Sequence, residues 1–282
     1  MKNNKKVLIV GINGFLWKEL AGFLEGKSVE VFGTTHTSNV SKNIFQFKVG
    51  DAINSKILLN DFSSVVYLSH NATLESEKLI NWYKKTFITF KELGVRQIYI
   101  SSYSAHEHAI SDYGKSKYQI EKFFLENNEY SISPGLIIGK GGIFNKIARF
   151  VDKSPIIVVP VSSKENLIPI VSIDKACSVI FDVIQDNFIS KNYNIYSHII
   201  KLEDLIKALI QINSKKKYLL KINGYFILYV MKIIESIGVK LPVSSDNLSG
   251  FIANQKYSVK SDILEFGDDL SVELILKKAI WC

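Results

Sequence analysis

Arginine is scarce in this chain of 282 residues. Only Arg96 and Arg149 occur, although lysine and arginine together number 35 against 27 acidic residues, giving a formal net charge of +8. Proteins that read nucleic acids rely on arginine forks and on clustered basic stripes. Because the positive charge here is lysine spread along the chain, we expect no nucleic-acid partner. A solvated lysine surface with some attraction for anionic substrates fits better.

Cysteines and long hydrophobic runs are also few. Cys177 and Cys282 cannot form a disulfide framework, so a reducing compartment is the simpler expectation and the cytoplasm is predicted. Residues 1–17 have lysines before an apolar run, as signal peptides do, but glycines interrupt that run. The longest other apolar run, 225–231, is too short to span a bilayer, and we expect no stable membrane insertion.

The strongly apolar stretch 224–237 leaves two interpretations open. It could be a helix on a membrane surface. The commoner explanation is burial, either against the main domain or against a partner subunit in a homodimer.

The start of the chain has the pattern of a phosphate-binding turn. The apolar run 7–10 ends at Gly11 and Gly14, and apolar residues then recur at helical spacing. Glycines allow a tight turn, and a helix N-terminus presents free N–H groups to a pyrophosphate. Strand and helix patterns continue to alternate to about residue 138, which predicts an α/β fold with a Rossmann-type, doubly wound parallel sheet. The expected strands are 7–10, 29–33, 45–49, 65–68, 97–101 and 132–138, and the longest expected helix is 75–93.

The residues best suited to catalysis follow the fifth of these strands. Tyr113 and Lys117 are four residues apart at the start of a helical pattern, so they share one helix face. A tyrosine hydroxyl titrates near 10, and shifting it to neutrality costs about 4 kcal/mol. A nearby ammonium group in a low-dielectric cleft favours the phenolate and can supply that shift. A serine hydroxyl at the strand end could bind the substrate oxygen that Tyr113 protonates.

The spacing alone does not single out Tyr113, because Tyr118 and Lys122 repeat it. Tyr118 lies five residues after Tyr113, about 140° around a helix, so the two tyrosines cannot face the same site. The order of strand, Ser-Ser, loop and helix favours Tyr113. We expect Tyr118 to pack against the sheet.

With these motifs, the chain resembles the extended or atypical short-chain dehydrogenase/reductases, which include nucleotide-sugar epimerases, dehydratases and reductases. The likeness covers nearly the whole length. It rests on Gly11-x-x-Gly14, Gly50-Asp51, Tyr-Ile-Ser-Ser at 99–102, Tyr113-Gly-x-x-Lys117 with Glu121, Pro134-Gly135 before Gly139-x-Gly141-Gly142, and Ile-Val-Ser-Ile-Asp-Lys-Ala at 170–176.

The resemblance implies a site residue by residue. Ser102 would hold the substrate oxygen, Tyr113 would be the general acid/base, and Lys117 would lower its pKa and bind the nicotinamide ribose. Asn81 would support the site with Ser102, and Arg149 could clamp a diphosphate, although a surface ion pair explains it equally well. Ser101 and Ser104 are alternatives to Ser102. The residues implied to bind NAD or NADP are Gly11, Asn13, Gly14, Phe15, Leu16, Thr35, Asp51, Ala52, Leu68, Tyr113 and Lys117.

The implied function is an NAD(P)-dependent reductase or epimerase acting on a nucleotide-linked sugar, in which a keto group is one option. Four departures from the family pattern weaken this. Trp17 replaces the third glycine, 34–36 lacks the acid that selects NAD, Leu167 and Ile168 replace basic residues, and Ser133 replaces an arginine. The alternative is a non-catalytic dinucleotide-binding or sensing module of the same fold.

The resemblance also predicts the domain organisation. A dinucleotide-binding domain would cover 1–165 and return through about 168–198. A smaller, mainly helical substrate domain would cover 199–282, with 139–166 contributing. None of the five histidines has a paired ligand spacing on one element, so no metal site is expected.

Overall fold

The computed structural model describes residues 5–37, 41–53, 55–70, 75–161, 167–185, 191–213, 216–239, 241, 243–254 and 270–281. Cys282 and residues 162–166 of the expected substrate-domain segment lie outside these ranges. The strands are β1 (Lys6–Val10), β2 (Glu30–Thr35), β3 (Ile44–Gln46), β4 (Ser64–Tyr67), β5 (Arg96–Ile100), β6 (Tyr130–Pro134), β7 (Leu136–Ile138), β8 (Ile156–Val161), β9 (Leu167–Ser172), β10 (Asn192–Ile195), β11 (His198–Lys201) and β12 (Tyr218–Asn223).

Helices connect most of these strands. They are α1 (Phe15–Gly26), α2 (Ser55–Leu58), α3 (Ser76–Glu92), α4 (Asp112–Glu126), α5 (Gly142–Lys153), α6 (Ile173–Gln185), α7 (Leu202–Asn213), α8 (Gly224–Ser236), α9 (Ser245–Asn254) and α10 (Val272–Trp281). In the described part of the chain, no helix combines the length and apolar character needed to cross a membrane.

Seven strands form the main sheet in the order β10-β6-β5-β4-β1-β2-β3. The pairings from β3 through β6 are all parallel. Strand order reverses between β1 and β4, where Val10 pairs with Tyr67. In doubly wound sheets, ligands bind at the carboxyl ends of the strands beside such a reversal. The structure therefore confirms the predicted α/β, Rossmann-type fold class.

The central strands are buried because their sequences are almost continuously apolar, as parallel strands covered on both faces require. One side of the sheet packs on an aromatic cluster. The Tyr67 ring lies 5.8 Å from Tyr83 and 5.2 Å from Phe124, and Tyr83 lies 5.6 Å from Tyr99, measured between centroids. The cluster holds α3 and the part of α4 that carries Phe124 against β4 and β5.

The chain divides into two compact units. The first comprises residues 1–102, 116–133 and 174–193, and the second comprises 103–115, 134–173 and 194–282. In the second unit, β11, β9 and β7 form a three-stranded sheet, and β12 pairs with β8 in parallel. The region after 199 thus contains β12 as well as the expected helices.

The expected single strand 132–138 is two strands in different sheets, β6 and β7. Gly135 separates them. A Cβ at this position would lie 2.6 Å from the carbonyl oxygen of Pro169, so the start of β7 passes β9 too closely for any side chain.

Candidate active site

The glycine turn after β1 has the geometry that its motif predicts. Gly11 has φ of +102°, and a Cβ there would lie within 2.8 Å of the Ser69 backbone, which follows β4. Only glycine satisfies both the positive φ and this close approach. The turn therefore brings the ends of β1 and β4 together at the strand-order reversal.

The N-terminus of α1 is open to an anionic group. Gly14 is the N-cap, no side chain caps the first turn, and that turn contains no acidic residue. Free N–H groups and the helix dipole favour negative charge at such a position. Phe15 and Leu16 are half-buried, whereas Asn13 and Gly14 are exposed. The residues present thus fit a dinucleotide pyrophosphate.

Trp17 is accommodated by a glycine on the neighbouring strand. A Cβ at Gly33 would lie 2.7 Å from the Trp17 Cη2 atom and 2.4 Å from the Ile12 Cγ2 atom. The indole ring therefore lies directly against the β2 backbone at Gly33. The large indole at position 17 occupies the space that a side chain at position 33 would need. This favours packing of Trp17 over obstruction of the cofactor site.

Trp17→Gly is expected to lower stability by about 2–4 kcal/mol without tightening dinucleotide binding, because it leaves a cavity over Gly33. Chemical denaturation and cofactor titration measure the two effects. Lys18→Gly, at an exposed neighbouring position, controls for the cost of about 1 kcal/mol that glycine imposes on any helix. A Trp17→Gly protein that binds cofactor markedly better would show that the indole obstructs the site.

The carboxyl end of β2 is polar and has no acid. Thr35 is buried, and its Oγ1 lies 2.9 Å from Thr37 Oγ1. His36 is exposed, with its Nδ1 3.3 Å from Asn13 Nδ2. The predicted cofactor residues Asn13 and Thr35 are therefore linked to this strand end through local hydrogen bonds. No carboxylate follows β2 within the described residues 35–37 to select an unphosphorylated ribose.

The remaining cofactor candidates of the first unit lie in turns after strands. Asp51 and Ala52 are exposed directly after Gly50, whose N–H donates to Thr86 Oγ1 at 2.9 Å. Leu68 is half-buried after β4, and its N–H donates to the Val10 carbonyl at 3.0 Å. Thr86, a buried residue of α3, anchors the Asp51 turn and was not singled out in the sequence because its role depends on tertiary contact.

Lys117 is the most constrained candidate. Its side chain is buried, and its Nζ donates to the Ile100 carbonyl at the end of β5 at 2.7 Å. The same Nζ lies 4.7 Å from the centroid of the Tyr99 ring, within range of a cation–π interaction. The ammonium group is therefore fixed at the strand end that carries Ser101 and Ser102.

Burial sets the ionisation of this group. It lowers the pKa of Lys117 to about 7, while the negative charge of Glu121 acts in the opposite direction. Burial also raises the pKa of Glu121, against the hydrogen bond from the Ser133 hydroxyl and the charge of Lys117. Ser133 Oγ donates to Glu121 Oε2 at 3.0 Å. Ser133 thus stabilises the Glu121 carboxylate where the family has an arginine.

Two further polar side chains, those of His70 and Tyr83, belong to the first unit. Burial, together with the nearby positive charge of Lys117, lowers the pKa of His70 to about 3, so its ring is neutral at working pH. Tyr83 on α3 hydrogen bonds through its hydroxyl to Ser69, beside Gly11. Asn81, the α3 residue implied by the resemblance, has an exposed side chain, and no contact links it to Lys117 among the described residues.

The backbone of Tyr113 is hydrogen-bonded to a residue in the C-terminal part of the second unit. It lies in the first turn of α4, one turn before Lys117, and is half-buried. The Asp246 carboxylate, on α9, accepts from the backbone N–H of Asp112 at 2.9 Å and of Tyr113 at 3.3 Å. This carboxylate caps α4 from 133 residues away, and no local sequence signal could have revealed it.

The two other substrate candidates are on different elements. Ser102 is half-buried and follows Ser101, whose N–H donates to the Ile132 carbonyl at 2.7 Å. Arg149 is exposed on α5, and no acid in the described chain lies within ion-pairing distance of it. The alternative reading of Arg149 as a partner in a surface ion pair finds no support in these residues.

Solved structures share this fold. An NAD-dependent NDP-hexosamine 5,6-dehydratase involved in tunicamycin biosynthesis matches with a TM-score of 0.69 at 11% identity, over 97% of this chain and 96% of that one. A dTDP-4-dehydrorhamnose reductase from Clostridium acetobutylicum matches with a TM-score of 0.65 at 15% identity, over 88% and 98%. UDP-N-acetylglucosamine 4-epimerase from Bacillus cereus matches with a TM-score of 0.63 at 14% identity, over 78% and 86%.

Sequence comparison adds nothing to these matches. No protein-family model matches the chain, and no curated protein matches it either. At 11–15% identity, the structural matches confirm the predicted likeness at the level of the fold. The chain has the Rossmann-type fold found in nucleotide-sugar dehydratases, reductases and epimerases.

Proposed function

We propose that this protein is an NAD(P)-dependent reductase or epimerase acting on a nucleotide-linked sugar. The observation that carries the proposal is Lys117, buried with its Nζ on the Ile100 carbonyl, one turn after Tyr113 on α4. A buried lysine is costly to keep charged, and ionisable groups perturbed in this way are typical of functional sites. Its position one turn from a tyrosine suits a lysine that lowers the pKa of a catalytic phenol.

The proton chemistry is assigned to three side chains. Tyr113 exchanges a proton with the substrate oxygen, and Lys117 stabilises the phenolate that remains. Ser102 donates a hydrogen bond to the same oxygen and orients it. A bound nicotinamide would supply or accept the hydride, which no side chain of this chain can do.

The cofactor would be held by the elements around the strand-order reversal. Gly11 and Gly14 leave the backbone accessible, and the uncapped first turn of α1 offers N–H groups to the pyrophosphate. Asp51 and Ala52 would border the adenine, and Thr35 with Asn13 would approach its ribose. One of the solved structures with a matching fold is named as an NAD-dependent dehydratase, which supports this assignment.

The substrate class rests on two considerations. The matching structures are named for NDP-, dTDP- and UDP-sugars. Arg149, exposed and without an acidic partner in the described chain, could bind a diphosphate bidentately. We therefore assign Arg149 to the nucleotide diphosphate, and we assign the second unit, which contains it, to the substrate.

A second candidate function is a dinucleotide-binding sensor without catalysis. It is favoured by Ile168, which occupies a position that is basic in the family and is buried in the apolar core of the second unit. This residue contributes no charge to a substrate phosphate. A sensor would bind NAD(P) but turn over no nucleotide sugar.

The deciding experiment combines identification and turnover. Small molecules that copurify with the protein are identified by mass spectrometry, and turnover of keto and hydroxyl nucleotide sugars is then measured with both nicotinamide cofactors. A bound dinucleotide with measurable turnover supports the enzyme. A bound dinucleotide with no turnover on the whole panel supports the sensor, and no dinucleotide binding contradicts both.

NADPH is expected to bind at least as tightly as NADH, because no carboxylate at 34–36 repels a 2′-phosphate. Fluorescence titration of both reduced cofactors tests this. His36→Asp places an acid at an exposed position after β2, and it should weaken NADPH binding selectively by about tenfold or more. A clear preference of the unmodified protein for NADH would contradict the prediction.

A further inference from the structure

Helix α8 presents an apolar face to solvent. Six large apolar side chains on it or just after it are between 36% and 73% exposed. They are Tyr225, Phe226, Tyr229, Val230, Ile233 and Ile237. We call these six residues the outer face of α8. The opposite face, which includes Ile227 and Ile234, is half-buried, so apolar residues occupy two opposite faces of the helix.

A helix with apolar residues on two opposite faces is normally covered on both of them. At 100° per residue, the outer face spans about 140° of the helix surface, and the exposed Ser236 near the end of the helix also lies within it. Tyr218 and Leu220 of β12, the strand that leads into α8, are also exposed. Contiguous apolar surface of this extent marks an interaction site, unlike isolated exposed residues.

Lysines flank the outer face along the chain. Lys232 lies at its edge on α8, and Lys216 precedes β12. Both are exposed, and neither pairs with an acid in the described chain. The one acidic residue of α8, Glu235, is directed to α9, where its carboxylate accepts from the Ser245 N–H at 2.8 Å and from its hydroxyl at 2.5 Å. Along α8, no acidic side chain is therefore left to oppose an anionic surface.

We propose that the outer face of α8 rests on an anionic lipid bilayer. Tyrosine and phenylalanine suit the boundary between headgroups and acyl chains, and lysines at the rim attract anionic lipids. A second copy of the chain fits less well, since a two-fold contact through this face would bring the lysine rims of both copies together. At 13 residues, α8 lies on the bilayer and does not cross it.

Co-sedimentation of the full chain with vesicles tests this proposal. Binding to vesicles containing phosphatidylglycerol is expected to exceed binding to pure phosphatidylcholine at least tenfold, and to fall at high salt. Phe226→Ser combined with Tyr229→Ser should reduce binding at least tenfold, and Lys232→Glu should reduce it several-fold. Leu59→Ser with Leu93→Ser, two exposed apolar positions of the first unit, should leave binding unchanged.

Three results would overturn the proposal. They are failure of the unmodified chain to bind anionic vesicles, equal binding by the Phe226→Ser/Tyr229→Ser protein, and equal loss in the Leu59→Ser/Leu93→Ser protein. Analytical ultracentrifugation is run in parallel. A dimer that Phe226→Ser/Tyr229→Ser converts to a monomer, without vesicle binding, would assign the outer face to a second copy.

A second inference has a different basis, the contacts of Asp246, and it rests on the proposed function. We infer that Asp246 is a positioning residue for Tyr113. Its carboxylate binds the N–H groups of Asp112 and Tyr113, and so fixes the backbone from which the tyrosine projects. Glu235 in turn holds the N-terminus of α9 through Ser245, so α8, α9 and the start of α4 form one hydrogen-bonded series.

Turnover and its pH dependence test this role. Asp246→Ala should lower kcat about tenfold with cofactor affinity unchanged, and Asp246→Asn, which keeps one acceptor, should recover part of the loss. Both changes remove a negative charge from the N-terminus of α4, so the phenolate is favoured and the pH midpoint of kcat should fall by a few tenths of a unit. Ser249→Ala, which removes a hydrogen bond within α9, should not move that midpoint.

Turnover of Tyr113→Phe is measured together with that of the Asp246 variants. It distinguishes failure of the proposed function from failure of the positioning role. Full turnover by Tyr113→Phe would mean that the proposed function is wrong. Tyr113→Phe could instead be inactive while Asp246→Ala has the same kcat and pH profile as the unmodified protein. That result would overturn the positioning role alone.

Discussion

Tyr113→Phe is expected to lower turnover by about two to four orders of magnitude, the usual contribution of a positioned acid or base. The substitution removes one hydroxyl and keeps the ring. The backbone of Tyr113 remains bound to Asp246, so the start of α4 should be unchanged. Fold and cofactor binding are therefore expected to survive, and kcat on keto and hydroxyl nucleotide sugars across pH is the measurement.

Tyr118→Phe is the matched control. Tyr118 is half-buried on the same helix, about 140° around from Tyr113, and followed four residues later by Lys122. Its loss should leave turnover nearly unchanged. An inactive Tyr118→Phe beside an active Tyr113→Phe would show that the catalytic register on α4 is wrong. Activity in both would remove the proposed acid/base.

Lys117→Met is expected to reduce turnover and raise the pH at which activity appears, because the phenolate loses its stabilising charge. It should also weaken cofactor binding if Lys117 contacts the nicotinamide ribose. The pH profile of kcat and a cofactor titration measure these effects. An unchanged profile would mean that Lys117 does not set the ionisation of the general acid/base.

The same substitution is expected to stabilise the protein below neutral pH. Lys117 has a pKa of about 7 when folded and 10.5 in its ordinary state, so the unfolded chain holds an extra proton between these values and stability rises with pH across that window. Below pH 7 the folded protein carries the full cost of a buried charge, on the order of a few kcal/mol. Lys117→Met removes this cost, although Glu121 then loses its nearby positive charge.

Urea denaturation at pH 6 and pH 10 tests this effect. The gain should be present at pH 6 and largely gone at pH 10. Lys122→Met is the control, since Lys122 is exposed and makes a surface ion pair with Glu126 at 3.7 Å. It should change stability by less than about 0.5 kcal/mol at either pH. A destabilised Lys117→Met protein at pH 6 would contradict the burial argument.

Local pattern was enough to predict the framework of this protein. The apolar run that became β1 ends at a glycine turn, and the alternation of strands and helices is a property of neighbouring residues. The parallel pairing of β1 to β6 follows from that alternation. Helix periodicity likewise placed Tyr113 and Lys117 one turn apart, because a spacing of four residues has the same meaning in any helix. Whether they act as proposed stays a prediction.

Other features were decided by contacts between residues far apart in the chain. The consequence of Trp17 depends on Gly33, which lies against its ring. The division of 132–138 into two strands depends on Gly135, which passes close to Pro169. The hydrogen bonds from Asp112 and Tyr113 to Asp246 have no local signature either. Periodicity shows which face of an element is apolar, but it does not show what covers that face. The outer face of α8 is the clearest case: its apolar sequence suggested burial, and only the tertiary structure showed it exposed.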